Sequence, residues 1–329
     1  MSNIFLLYIN VIYKINAILN MSENFLDDIK NYPDGNDSMK YYYRGPFPDI
    51  ERIIYQFLNG VDRDHDKKDL HAKYDAPLSF SYCIPNLRDV LTRIFNDPDV
   101  YDIRWMAYML ATTYWESASV VTTNITRPAP RKGNYTTTQT FFPIQESGKG
   151  GKKVYAYPVK VAERPNGDAA VMESHTNKLY IIPKYIMEKS KAAKSPFNRL
   201  KIFAGNKVSY KDFDGVENIY YGRGYVQLTW WRSYAEASLR LKNNFDLLTS
   251  PDLVLTREIS YEIMSEGMRN GTIFANGHML IHYFCGSYTN YIAARQIVNG
   301  CDKADNIARI ARAFEKCLLH VLKPEIKDI

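Results

Sequence analysis

The hydrophobic period of this chain changes twice along its length, and that alternation limits the folds open to it. From Asp49 to Val120, and again from Tyr220 onward, apolar residues recur at three- and four-residue spacing. Between these stretches, residues 121–215 are rich in Thr, Tyr, Val, Gly and Pro and carry short β-like runs. One element cannot satisfy both periods, so the pattern predicts a helical body interrupted by a β-containing lobe, an α+β arrangement that is mainly α. Helices are expected over DIERIIYQFLNGV with Asp49 as N-cap, over NLRDVLTRIF up to Asn96-Asp97-Pro98, and over DIRWMAYMLATTYWESAS opened by Asp102. Further helical stretches fall near 232–242, 257–269, 288–298 and 303–321, with a short basic helix near 184–194. In the lobe, KVYAYPVKV and KLYIIP read as strands around a turn at Pro165-Asn166-Gly167-Asp168. No internal repeat is visible.

Residues 1–48 read as an N-terminal extension, and 49–329 as one domain with an insertion at about 154–217. Within the extension, residues 4–19 (IFLLYINVIYKINAIL) have the spacing of an amphipathic helix. That run is shorter than the roughly 20 apolar residues of a membrane span. It also lacks the basic start and small-residue cleavage site of a signal peptide. A docking helix, a membrane-contacting leader and an extension without a role all remain open.

Cys83, Cys285, Cys301 and Cys317 are scattered without metal spacing, which points to free thiols, no metal site and no cofactor. The chain carries 42 Lys and Arg against 36 Asp and Glu, net +6, with no basic block of the kind that grips nucleic acid. Such a charge is compatible with an anionic polymer. The 26 Tyr among the aromatics suit stacking on sugars, although Tyr is equally good core material.

Three segments are dense in chemistry. In Tyr108–Ala118, Glu116 ends an otherwise apolar helix beside Tyr114 and Trp115. A carboxyl among aromatic walls has its charged form disfavoured, the setting a general acid needs near neutral pH. The plainer reading is a solvated Glu in a last helical turn. In Phe142–Gly151 (FPIQESGKGG), Glu146 sits at the mouth of a glycine-rich turn, where a carboxylate can act as a base on water or be an ordinary loop residue. In Tyr220–Trp231, Gly222 and Gly224 flank Arg223, and Tyr225, Gln227 and Thr229 alternate with Val226 and Leu228. That alternation predicts an extended stretch with its polar groups on one side, suited to sugar hydroxyls or a catalytic water.

Together, Ala107–Ala118, YYGRGYVQLTW, GMRNGTIF at 267–274 and the tail Arg295–Glu315 with its QIVNGCDKAD resemble glycoside hydrolase family 19. The resemblance is closest to the phage and bacterial endolysin branch and covers roughly 85–120, 141–153 and 218–320, in family order. It implies a lysozyme-like, two-lobed, mainly helical fold with a β-hairpin-rich insertion at one rim. It further implies Glu116 as general acid, Glu146 as general base and Thr229 as the hydroxyl that positions the attacking water. Gln227 and Asn299 match substrate-binding positions. Arg295 falls where charges are ordered around the site, and Tyr221 and Arg223 fit the cleft floor, where a structural role is equally open. Trp115 stands where the family has His, and Ser233 where it has Asn. Because of these departures Glu163 and Glu173 remain substitutes for the base.

The resulting expectation is an inverting hydrolase of β-1,4 linkages in peptidoglycan strands, a monomer made in a bacterial host cytoplasm and acting on the wall in the periplasm, as in phage lysis. A chitinase acting on chitin oligomers is the alternative within the same chemistry. A non-catalytic glycan-binding or structural protein is the alternative of another class.

Overall fold

The computed structural model describes residues 38–59, 80–125, 133–150, 155, 159–173, 176–185, 220–241 and 245–322. It is an α+β protein with small antiparallel sheets. The segment 4–19 and most of the expected basic helix lie outside the described residues.

Six helices carry the body. They are α1 (Ile50–Asn59), α2 (Phe80–Asn96), α3 (Ile103–Glu116), α4 (Trp231–Arg240), α5 (Arg257–Asn270) and α6 (Ala304–Leu322). Helix α3 is the axis: every residue from Ile103 to Trp115 is buried, as expected of a helix that is apolar on nearly all sides. Asp102 caps it, its Oδ1 accepting from the Arg104 amide at 2.8 Å. Asp102 also pairs with the Arg104 guanidinium at 2.6 Å, and both side chains are buried. Helix α6 covers α3 with a stripe at Ile307, Ala308, Ile310, Ala311, Phe314 and Leu318, the spacing of one helical face. Phe57 of α1 stacks on Phe314 with ring centroids 4.4 Å apart, closing that side of the core.

The amide of Arg52 donates to the Asp49 carboxylate at 3.1 Å, the N-cap expected for α1. Helix α2 starts at Phe80, earlier than its pattern suggests, and carries Pro85 in its second turn. A larger difference concerns 288–298, which is not an α-helix. It begins with β9 (Tyr288–Thr289), which pairs with β8 (Phe284–Cys285) just before it, and a 3-10 helix follows over Ala293–Ile297. Tertiary contacts reach this hairpin: Arg104 Nη1 donates from α3 to the carbonyls of Gly286 and Tyr288 at 2.9 and 3.0 Å.

In the middle of the chain, β1 (Ser119–Ile125) pairs with β2 (Gly133–Gln139) in an antiparallel hairpin. Strands β4 (Val159–Glu163), β5 (Ala169–Glu173) and β6 (Leu179–Ile182) form a three-stranded sheet. The turn at 165–168 lies between β4 and β5, with Gly167 at φ +85°. The sheet buries Ala169, Val171, Tyr180 and Ile182, and Tyr180 meets Trp231 edge-on at 5.2 Å. The fourth pairing is short: β3 (Ile144–Gln145) with β7 (Arg223–Gly224).

All four thiols are free, and burial pushes Cys83 up to about 11 and Cys317 up to about 12. Among the described residues there is no cluster of metal-ligating side chains, and no helix is long and apolar enough to cross a membrane.

Candidate active site

Glu116 occupies the last turn of the buried helix α3. Ser117 closes that helix, its Oγ donating to the Thr113 carbonyl at 2.6 Å. The same oxygen accepts from the Phe141 amide at 2.9 Å, while Thr140 Oγ1 donates to the Tyr114 carbonyl at 2.7 Å. The helix end is thereby latched to the segment that leads into β3. Across from it, the 3-10 helix at Ala293–Ile297 presents Arg295, whose Nη2 donates to Glu116 Oε1 at 2.6 Å. Arg295 is 1% exposed and Glu116 14%. Arg295 Nε donates to the Asp302 carbonyl at 2.8 Å, and Tyr108 ties α3 to the Ala294 carbonyl at 2.9 Å. Glu116 Oε2 accepts no hydrogen bond among the described residues.

This carboxylate opens onto a cleft of about 350 Å³ lined by Trp115, Glu116, Arg295, Asn299, Asp302, Lys303 and Asn306. The aromatic wall expected from the sequence is present in Trp115, itself 6% exposed. The closest partner, however, is the guanidinium. Asp302, Lys303 and Asn306 lie in the family-like tail but are given no site role by the sequence; Asp302 and Lys303 directly precede α6 and Asn306 is in its first turn.

Glu146 is held differently. Its amide extends the β3–β7 pairing by donating to the Gly222 carbonyl at 2.7 Å. Its Oε2 accepts from the Gly222 amide at 3.1 Å and its Oε1 from the Tyr155 hydroxyl at 2.9 Å. Burial, and then the carboxylate itself, push the Tyr155 hydroxyl well up, so it remains a donor. Gly222 is required for this approach, since a Cβ there would lie 2.9 Å from Gln227 Oε1 and 3.3 Å from Glu146 Cβ. Tyr155 was read as part of a strand, and no signal in the sequence marks it as a partner of Glu146.

The expected extended stretch at 223–229 is instead a tight reversal. Arg223 and Leu228 exchange both backbone hydrogen bonds, at 3.1 and 2.8 Å, around Tyr225–Gln227. Gly224 at φ +82° and Gln227 at φ +52° make the reversal possible. Tyr225, Gln227 and Thr229 therefore do not share one side: Tyr225 is fully buried, its amide held by Ser260 Oγ at 2.6 Å. Gln227 Nε2 donates to the carbonyls of Ile144 and Gly224, at 3.0 and 3.1 Å, and so fastens β3 to β7. Thr229 is half-buried beside Trp230, which has φ +76°.

Tyr221 and Arg223 belong to the packing beneath this reversal. The Arg223 guanidinium lies 3.6 Å from the centre of the Tyr221 ring, pairs with Asp252 at 2.9 Å and donates to Tyr234 Oη at 3.0 Å. Of the two readings left open for these residues, the geometry fits the structural one. Ser233 is buried in the first turn of α4. Glu173 is 1% exposed and its Oε2 accepts from both the amide and the hydroxyl of Thr176, which removes it as a base. The side chain of Glu163 lies outside the described residues.

The lining of the Glu116 cleft thus brings together Trp115, Glu116, Arg295 and Asn299, without Glu146, Gln227 or Thr229. Helix α5 stands behind both groups. Its Met264 Sδ accepts from Thr113 at 3.1 Å, one turn before Glu116, and its Ser260 holds Tyr225. These two α5 residues are four apart on one helical face, about 6 Å along the axis. Arg257, the first residue of α5, donates to Asn86 at 2.6 Å and lies 5.1 Å from the Phe142 ring. Comparisons with family models, curated proteins and solved structures find no match for this chain.

Proposed function

We propose that the protein is an inverting glycoside hydrolase of β-1,4-linked N-acetylated glycans, with peptidoglycan strands as its substrate and a lysozyme-like, two-lobed body. The observation that carries this reading is the setting of Glu116. One carboxyl oxygen is fixed by a buried guanidinium at the end of a rigid helix, and the other is open to a cleft. A side chain held so firmly can meet a glycosidic oxygen without reorganisation, which is where positioned catalytic groups gain rate.

In the proposed reaction the protonated Glu116 gives its proton to the leaving oxygen as the C–O bond breaks. Glu146 takes a proton from the water that attacks the anomeric carbon, and Thr229 aligns that water. Inversion needs roughly 6.5–9.5 Å between the two carboxyls so that water fits between. The common backing by α5 supports such proximity. On this reading the enzyme acts on the wall, reached from the cytoplasm of the cell that makes it.

The opposing reading, a glycan-binding protein without turnover, draws on the fact that both Glu146 oxygens already accept hydrogen bonds. Loss of turbidity of chloroform-treated Gram-negative cells, beside hydrolysis of soluble chitin oligomers, separates the readings. Activity on cells supports the peptidoglycan hydrolase, activity on oligomers alone supports a chitinase, and activity on neither supports the binding protein. Where soluble product forms, anomer-resolved NMR of fresh material must show inversion; a retained anomer rules out the proposed roles.

A further inference from the structure

The rim of the Glu116 cleft carries a cation that the proposed chemistry does not use. Lys303 lines the cleft together with Glu116, Asn299 and Asn306, and its side chain is exposed. Among the described residues it makes no ion pair, even with the adjacent Asp302. Its backbone stands at φ +56°, in the left-handed region that long side chains rarely adopt.

The turn explains that conformation. Asp302 N donates to the Asn299 carbonyl and Ala304 N to the Cys301 carbonyl, both at 3.3 Å, and the Lys303 carbonyl then accepts the first hydrogen bond of α6, from Ile307 at 3.1 Å. Glycine would serve this backbone better, as Gly300 does three residues earlier at φ +61°. What lysine adds at this position is the ammonium. Strained backbone retained at a cleft is the kind of outlier from which a binding role is inferred.

The charges around it point to the ligand. Arg295 Nη2 donates to Glu116, and Arg295 Nη1 is buried with no acceptor. Asn299 and Asn306 add neutral amides, so with Glu116 in the protonated form that the proposed reaction uses, the lining holds two cations, Arg295 and Lys303, against one anion, Asp302. We propose that Lys303 is a specificity-determining residue: its ammonium pairs with a carboxylate carried on the glycan, so that acidic strands are taken ahead of neutral ones. The proposal rests on the glycan reading of the same cleft. The ligand class is a β-1,4 glycan with a lactyl-ether carboxylate on alternate sugars, free or extended by a peptide stem that brings carboxylates of its own. Chitin oligomers, which have no carboxylate, are the neutral counterpart.

The test measures dissociation constants by calorimetry in a Glu116→Gln background, so that strands stay intact. Stem-free strands, stem-bearing strands and chitin oligomers of equal length are compared for Lys303 and for its Ala, Glu, Arg and Gly replacements. An exposed ion pair is modest, so Lys303→Ala should weaken acidic strands by about three- to fivefold, and Lys303→Glu by about tenfold. Lys303→Arg should bind as the parent does, all forms should bind chitin oligomers alike, and raised salt should shrink the differences. A loss confined to stem-bearing strands supports the same pairing and places the carboxylate on the peptide. Lys303→Gly gives a readout that a merely structural role would not: the melting temperature should rise while affinity for acidic strands falls.

Unchanged affinity in Lys303→Glu, or an equal loss on acidic and neutral strands, overturns the proposal. Turnover of the unsubstituted protein is assayed alongside. If it cleaves nothing and the charge pattern persists, the hydrolase reading fails and the role of Lys303 stands; if no glycan binds at all, both fall.

Discussion

Glu116 and Glu146 are the same residue in opposite settings. Glu116 stands at the end of a helix buried on all sides, and among the described residues its side chain's hydrogen-bond partner, Arg295, is 179 residues away. Glu146 follows a two-residue strand, and both of its oxygens are gripped, by a tyrosine nine residues on and by a glycine amide. The first carboxylate is rigid with an open oxygen; the second is a clasp between two loops. The difference teaches that identical chemistry can be placed by the core or by loop-to-loop hydrogen bonds, and that the two placements should fail differently when cut.

The largest effects should come at the rigid site. Glu116→Gln keeps an acceptor for Arg295 but has no proton to give, so turnover should fall by about 10²–10⁴-fold. Stability should fall by only about 1–2 kcal/mol, because a charge-assisted hydrogen bond becomes a neutral one. Arg295→Ala should be worse for the fold, at about 3–5 kcal/mol, since it leaves a carboxylate without its partner in a nearly closed setting. Urea unfolding beside a turbidity assay measures both. Near wild-type turnover in Glu116→Gln would erase the contrast from the catalytic side.

At the clasp, Glu146→Ala should cost turnover by about 10²-fold if it is the base. Gly222→Ala tests the same point from the other side. Its new Cβ would meet Gln227 Oε1 at 2.9 Å and Glu146 Oε2 at 3.4 Å, displacing the carboxylate without removing it. The expected outcome is a turnover loss smaller than that of Glu146→Ala, with about 1–3 kcal/mol of destabilisation from overpacking. A stability loss in both variants with turnover intact would make Glu146 a fastener only.

Thr229→Ala should cost less again, roughly tenfold, because alignment of the water is lost while both carboxyls remain. The smallest effects should be at the substitute bases: turnover should be unchanged in Glu173→Gln, whose side chain cannot reach solvent, and in Glu163→Ala. A larger loss at either than at Glu146 would reassign the base.

How legible these features were depended on the distance over which they are determined. Asp49 and Asp102 announced the helices they cap because a cap and its target amides are two or three residues apart. The apolar stripe of α6 could be read for the same reason. The 288–298 stretch has helical spacing, yet it opens on a strand whose Tyr288 carbonyl accepts from Arg104, a residue far earlier in the chain. The stretch at 223–229 was misread because strand-like alternation is also compatible with a tight reversal once Gly224 and Gln227 take positive φ. Tyr155 gave no sign at all, since nothing local ties a tyrosine to a carboxylate in another loop.

By itself the sequence determined the α+β class, the caps that open α1 and α3, the course of α5 and α6 and the turn at 165–168. These follow from period, capping and glycine, which act within a few residues. Only the tertiary structure decided that Arg295 meets Glu116, that Tyr155 and Gly222 grip Glu146, and that Asp302, Lys303 and Asn306 share the Glu116 cleft. The physical reason is that periodicity specifies which face of an element is buried but not against what. That choice is made when the whole chain closes on one core and buried charges such as Arg295 must find partners there.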